Sequence, residues 1–420
     1  MLEKNKIHCM NCLAGMKELA DNSVDSVITD PPYGISFMGK SWDYDVPKVE
    51  VWKEVLRVLK PGGHLLSFAG TRTYHRMACN IEDAGFEIRD MISWLYGSGF
   101  PKSLNIGKAV DKLQGNEREV IGKNSNHRGK TQYENKYTKG LGQNENLTKG
   151  NSVWEGWGTA LKPACEPVVV ARKPLSEKGV ALNVLKWGTG GINIDESRIE
   201  GICGGSNKRV NSPKSKQVYG IYKKVETEQH SNGRFPSNVI LDEEAGVMLD
   251  KQSGITESHK GIGKRDGKSS KIFGWGGGDN PYGDKGGASR FFYCAKSSKG
   301  ERNKCLEGME EQQTTDGCIR SNPESARKYQ ANSALRKNFH PTVKPVRLME
   351  YLVRLVTPQN GLVLDPFMGS GTTAVACKQL NINFIGFELS EEYVRIANKR
   401  LSQANLNDWF KGGERKCLIR

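Results

Sequence analysis

The apolar positions near the start of the chain fall into two periods that alternate. Val24-Asp25-Ser26-Val27-Ile28 has the length and β-branching of a buried parallel strand. Lys6-Ile7-His8-Cys9 reads as a shorter strand before it, with a helix from Leu13 to Ala20 and a turn at Asp21-Asn22-Ser23 between them. Trp52, Val55, Leu56 and Leu59 recur at i, i+3, i+4 and i+7, which predicts an amphipathic helix stopped by Pro61-Gly62-Gly63. His64 to Phe68 is the next strand. Thr71 can cap a helix carrying Tyr74, Met77, Ile81 and Ala84, and Phe86 to Leu95 is a further strand. Strands alternating with helices predict an α/β fold with a parallel, doubly wound sheet.

The pattern weakens after Gly97 and returns near the C-terminal end. Residues 103–160 are rich in Asn, Gly and Lys and read as a mobile loop, after which Ala164 to Ala171 restores a strand. From Arg172 to about Arg336 short β-like pieces, such as Arg234 to Leu241 and Arg290 to Ala295, sit between glycine-rich loops; Gly274-Trp275-Gly276-Gly277-Gly278 suits either a linker or a base-stacking wedge. Regular structure resumes with a helix through Leu348, Leu352 and Leu355, ending at Thr357-Pro358. Gly361 to Asp365 then forms a strand, and a helix runs to about Leu380. Phe384 to Phe387 is the last strand, with Glu388 at its tip. Ser390 caps the final helix, which has Glu391 and Glu392 in its first turn.

Charge sharpens this division. The 420 residues carry a formal charge of +15, and residues 101–340 hold 40 basic against 27 acidic residues, an excess of +13. A basic middle between nearly neutral ends suggests a polyanion-binding region inserted in a globular frame. The expected division is 1–172 for a first catalytic half, 173–335 for a recognition region and 336–420 for a second half. Cys9 and Cys12 form a Cys-x-x-Cys with no second pair at zinc-finger spacing, so no metal is expected. No apolar signal core or run of about 18 apolar residues occurs, and a soluble, cytoplasmic protein with reduced thiols is the expectation.

Two stretches carry chemistry. Thr29-Asp30-Pro31-Pro32-Tyr33-Gly34 places a carboxylate, two prolines and an aromatic ring where a strand ends, at the ligand crevice of open α/β sheets. The prolines fix φ and remove two donors, leaving the Asp30 carboxylate and the Pro31 carbonyl as acceptors for an exocyclic amino group; a plain turn is the alternative. Asp365-Pro366-Phe367-Met368-Gly369-Ser370-Gly371-Thr372-Thr373 is a strand, a glycine-rich turn and a helix start. It lacks the Lys of a phosphate-binding loop, and Asp365 would repel a pyrophosphate. An anionic Asp suits a cationic ligand such as S-adenosylmethionine. Glu388, 23 residues further on, could accept from two ribose hydroxyls or simply flank a helix.

Asp-Pro-Pro-Tyr, a later Asp-Pro-Phe-x-Gly-Ser-Gly-Thr-Thr and the preceding His340-Pro341-Thr342-Val343-Lys344-Pro345 together resemble the amino-group DNA methyltransferases. Because the catalytic motif comes first, with a basic region between, the chain resembles their beta class, and the texture of the middle resembles phage- and prophage-borne members. The resemblance covers residues 6–100 and 336–402, with Ala164 to Lys173 as a framework strand; the middle matches by position alone.

It implies a Rossmann-like S-adenosylmethionine-dependent methyltransferase sheet with circularly permuted motif order and an inserted target-recognition region. Asp30, Pro31, Pro32 and Tyr33 would hold the target base, with Tyr33 stacked on it. Phe367, Gly369, Ser370, Gly371 and Thr372 would line the cofactor, with Asp365, Thr342 and Lys344 near its methionine end and Glu388 at its ribose. Asn11, where the family often has Asp, would accept from the adenine amino group. The partners implied are double-stranded DNA and a cognate restriction endonuclease.

The expected product is N6-methyladenine, since resembling members with Asp at the first catalytic position usually act on adenine and Ser is common among cytosine enzymes. N4-methylcytosine, methylation of RNA or a protein amide, and a decayed frame that only binds DNA are the rival readings. Carbon methylation of cytosine would want a Pro-Cys, which does not occur.

Overall fold

The computed structural model describes residues 2–35, 41–97, 99, 103–123, 146–201, 233–257, 285–295, 306, 312–315, 333–340 and 342–403. Nine strands form one sheet: β1 (Lys6–Cys9), β2 (Val24–Thr29), β3 (Leu59–Phe68), β4 (Glu87–Leu95), β5 (Cys165–Arg172), β6 (Val239–Asp242), β7 (Tyr293–Ala295), β8 (Leu362–Asp365) and β9 (Asn383–Glu388), in the order β1-β9-β8-β2-β3-β5-β4-β6-β7. All neighbours run parallel except β5, which is antiparallel to both β3 and β4.

Side-chain alternation along the strands makes two cores. Ile28, Leu66, Val168, Val170 and Val363 pack on one face with α7 (Val346–Val356), α8 (Thr372–Gln379) and α9 (Glu391–Gln403). Val27, Leu65, Val169, Leu364 and Ile385 pack on the other with α1 (Cys12–Lys17), α2 (Val49–Val58) and α3 (Tyr74–Asp83). A doubly wound three-layer α/β frame results, as the alternation predicts.

Several boundaries differ from the sequence expectation. Pro61-Gly62-Gly63 does not lie beyond a helix stop but inside β3, where the β2–β3 register shifts between Val24 and Ser26. Gly62 N–H donates to the Lys173 carbonyl and the Gly63 carbonyl accepts from Lys173 N–H, so both glycines stay in backbone pairing.

Residues 103–123 and 146–160 are also structured rather than a loop. Helix α4 (Ile106–Gln114) is capped by Asn105, whose side chain accepts from Lys108 N–H, and closes at Gly115 in the left-handed region. Residues 119–123 and 146–149 pair as a hairpin, and Arg118 joins Asp111, Glu155 and Thr148 across it. Residues 124–145 lie outside the described set.

Within 173–335, β6 and β7 extend the main sheet, so this region is continuous with the frame on that edge. The expected strands shrink to those ranges, and Gly274 to Gly278 lie outside the described residues. Helix α5 (Val180–Trp187) and helix α6 (Glu243–Ser253) complete the described helices. Among the described residues no helix is long and apolar enough to cross a membrane.

His64, 3% exposed in β3, has its pKa pushed down to about 4 by burial and then by Arg172 and Arg89. The unfolded chain therefore binds a proton between about pH 6.5 and 4 that the fold does not, and stability contributed by neutral His64 is lost as pH falls through that window. The urea midpoint of a His64→Leu variant should fall less than that of the parent between pH 6.5 and 4; parallel pH profiles would refute this.

Candidate active site

Four neighbouring parallel strands, β1, β9, β8 and β2, deliver Asn11, Glu388, Asp365 and Asp30 to one edge of the sheet. A cavity of about 1800 Å³ opens there, and every site residue expected from the sequence lines it except Gly371. That volume exceeds the ~300–1,000 Å³ typical of a single small-ligand pocket, leaving room for a cofactor and a second flat ligand.

At one end the Asp30 carboxylate is held from both sides. Its Oδ1 accepts from the Tyr33 hydroxyl at 2.7 Å and its Oδ2 from Lys344 Nζ at 2.6 Å. Glu166, at the start of β5, completes the group: its Oε2 is 3.1 Å from the Tyr33 hydroxyl and 3.2 Å from Lys344 Nζ. Burial, then Asp30 and Glu166, push the Tyr33 hydroxyl well above its usual pKa. Burial opposes charge on Lys344, but Asp30 and Glu166 outweigh it and the pKa rises. Lys344, expected beside the methionine end, thus sits directly on the Asp30 carboxylate. Thr342, two residues earlier, lines the cavity and its carbonyl lies 2.9 Å from His340 Nδ1.

The loop after Asp30 is fixed by a residue the sequence did not single out. Asp43 Oδ1 accepts from Tyr33 and Gly34 N–H at 2.6 and 3.0 Å, and Oδ2 accepts from Ile35 N–H at 3.3 Å. Thr73 Oγ1 donates to the Tyr33 carbonyl at 2.5 Å, so α3 also sets the ring. An Asp43→Ala variant would leave three backbone donors without this acceptor. Its turnover is expected to drop at least ~10-fold with circular dichroism unchanged, and Asp43→Asn should recover part of it. Wild-type turnover in Asp43→Ala would count against this loop's role.

At the other end Glu388 Oε2 accepts from Gly369 N–H at 2.9 Å and Oε1 from Ser390 N–H at 2.8 Å. Each oxygen keeps a lone pair for a ligand hydroxyl. Gly369 has φ +52°, and a Cβ there would come within 2.7 Å of His340 Nε2; Gly371 has φ +81°, and its Cβ would meet the Ala397 side chain at 2.7 Å. Both positions therefore require glycine. Arg400, fully buried on α9, donates to the Ser370 carbonyl at 2.6 Å and reaches Thr372 Oγ1 at 3.2 Å, locking the turn from behind. Phe367 lines the cavity and packs against the core on the α1–α3 face.

Two expected ligand contacts come out differently. Asp365 is 2% exposed and its Oδ1 accepts from Thr29 Oγ1 and Phe367 N–H at 2.6 and 3.0 Å, while Oδ2 accepts from Thr373 Oγ1 at 2.6 Å. It ties β2, β8 and α8 together, and burial raises its pKa to about 6. Asn11 Oδ1 accepts from Leu13 and Ala14 N–H at 2.9 and 3.3 Å as the α1 N-cap. Both lone pairs of its side-chain oxygen are thus directed at the start of α1.

The donor set fits a cationic cofactor. Six carboxylates and four Lys or Arg side chains line the cavity, and this acidic excess favours a sulfonium and an ammonium over a polyphosphate.

A family model described as DNA methylase matches residues 24–399. The Type II methyltransferase M2.LlaDCHI of Lactococcus lactis subsp. cremoris is 47% identical over 64 residues, 15% of this chain and 24% of that protein. The Type II methyltransferase M.HindIII of Haemophilus influenzae is 45% identical over 80 residues, 19% of this chain and 26% of that protein. The similarity thus spans about a quarter of the length of these curated relatives. Among solved structures, an M1.HpyAVI–SAM complex is 18% identical, with a TM-score of 0.39 over 94% of this chain and 98% of that one.

Proposed function

The chain belongs to the N6/N4 DNA methylase family, and on that premise we propose that it methylates the N6 amino group of an adenine flipped out of duplex DNA, with S-adenosylmethionine as donor. The observation that carries this reading is the shared cavity: the Asp30–Tyr33 loop and the Gly369–Glu388 cradle face one space large enough for donor and base together. The motif order supports the beta class. The basic excess of residues 101–340 supports a duplex partner, since phosphate contacts come from Lys and Arg. Type II relatives support a place beside a cognate endonuclease.

S-adenosylmethionine supplies an electrophilic methyl group when bound. The chain's own residues do the rest. Gly369 and Phe367 would line the donor cradle, Gly371 sets the turn behind it, and Glu388 would accept from the ribose hydroxyls. Tyr33 gives the extruded base a stacking surface. The amino nitrogen is a poor nucleophile because its lone pair is delocalised into the ring. Asp30 and the Pro31 carbonyl would accept its two protons in hydrogen bonds, which favours a pyramidal nitrogen and stabilises the positive charge that develops there as the N–C bond forms and the donor's S–C bond breaks. The methylated nitrogen then gives up one proton to solvent. Asp30 as the first residue of the tetrad, and the weaker A·T pair to be opened, favour adenine over cytosine.

Expression in a methylation-deficient bacterium followed by modification-detecting sequencing tests the reading. N6-methyladenine at one recurring sequence, absent with Asp30→Ala, is the expected result. N4-methylcytosine would overturn the base assignment, and unmodified DNA the whole reading.

A further inference from the structure

Asp30, the acceptor for the base amino group in the reading above, already has both oxygens engaged. Tyr33 hydroxyl occupies Oδ1 at 2.7 Å and Lys344 Nζ occupies Oδ2 at 2.6 Å. A carboxylate with an ammonium against it is a weakened acceptor, because its charge is already compensated at close range. Each oxygen keeps one lone pair, but the amino group meets a stronger acceptor in Asp30 once the ammonium is drawn away from it.

Glu166 offers that release. One of its oxygens, Oε2, stands 3.1 Å from the Tyr33 hydroxyl and 3.2 Å from Lys344 Nζ, so both donors on Asp30 already have the same second partner within reach. From this geometry we infer that Glu166 is a positioning residue that receives the Tyr33 hydroxyl and the Lys344 ammonium when the target amino group engages Asp30. The exchange presupposes the Asp30–amino contact proposed above.

Three features make the exchange inexpensive. Lys344 is 7% exposed and must keep a carboxylate partner; a move from Asp30 to Glu166 preserves one throughout. The aromatic faces of Phe68 and Tyr33 lie 4.9 and 5.5 Å from the ammonium, so the cation stays against π surface whichever acid it leans on. The Tyr33 hydroxyl and Lys344 both stay protonated: burial and then the two carboxylates raise the hydroxyl's pKa, and the same carboxylates outweigh burial at Lys344. Glu166 itself is fixed by its place in the backbone: it sits opposite Trp94 in the antiparallel β5–β4 pairing. The reversed strand thus brings a second carboxylate to the donors that hold Asp30.

The test is steady-state methylation of plasmid DNA from a methylation-deficient host by the full chain, its Glu166→Gln and Glu166→Asp variants, and each in a Lys344→Met background. Glu166→Gln keeps the shape but loses the charge that must hold Lys344. It should lower kcat about 10- to 100-fold while KM for DNA and the affinity for S-adenosylmethionine change less than about threefold, with Glu166→Asp recovering part of kcat. In the Lys344→Met background Glu166→Gln should add less than about a threefold further loss, since the main group to be handed over is gone. Unchanged kcat in Glu166→Gln, or full additivity with Lys344→Met, would overturn the role of Glu166. Absence of any DNA methylation by the wild-type chain would instead remove the functional reading on which it stands.

Discussion

Replacing Asp30 with alanine is expected to lower methyl transfer by at least ~100-fold while leaving the affinity for S-adenosylmethionine within about twofold. The variant removes the carboxylate that Tyr33 and Lys344 now hold at 2.7 and 2.6 Å, and with it the proposed acceptor for the reacting amino group. Lys344 keeps Glu166 as a partner at 3.2 Å, so the buried ammonium is not stranded and the fold should survive. Asp30→Asn, which keeps the shape and one acceptor oxygen, separates charge from geometry and should fall between the two. Calorimetric titration of the donor beside a labelled-methyl assay reads both quantities. Retention of more than a tenth of the activity in Asp30→Ala would place the acceptor elsewhere.

The largest effect on stability is expected at Asp365. Alanine there would leave the Thr29 and Thr373 hydroxyls and the Phe367 N–H without their acceptor in a buried setting. Such losses amount to about 3–5 kcal/mol together, and the glycine turn that starts α8 should lose donor affinity with them. The conservative Asp365→Asn variant gives a cleaner signature. Because burial raises the folded pKa to about 6, above its ordinary 3.8, the folded state holds a proton between those values that the unfolded chain has released. The contribution of Asp365 to stability is thus fully present below about pH 4 and declines as pH rises to about 6. Urea midpoints of Asp365→Asn should lack this decline, and midpoints that track the parent across the window would show that Asp365 does not titrate there.

Much of the frame was legible from periodicity because β2, β8 and their helices are local and strongly patterned. The glycine turn was legible too, since only a close backbone approach explains Gly369 and Gly371 at positive φ. What the sequence could not show were groups brought in over long separations. Glu166 lies 136 residues from Asp30, on a strand whose reversal no local pattern reveals. Asp43 follows a tryptophan in a stretch with no periodicity, and its three backbone contacts depend on the loop being folded already.

The His340–Pro345 motif points to Lys344, but only the fold shows its ammonium against Asp30, because a motif carries identity and spacing, not direction. Asn11 and Asp365 show the complementary limit. Each lines the cavity, yet the side-chain oxygens of Asn11 and Asp365 are taken up by a helix cap and by a buried junction between strands. Helix α4 was missed because Arg118, Asp111 and Glu155, which hold it, join segments up to 37 residues apart.

The most direct measurement of the central claim is transfer from S-adenosylmethionine carrying a labelled methyl group to unmodified duplex DNA, followed by digestion to nucleosides and chromatography. Label in N6-methyldeoxyadenosine, lost with Asp30→Ala, is the predicted result. Label confined to N4-methyldeoxycytidine would contradict the adenine assignment, and no label in any nucleoside would contradict the account as a whole.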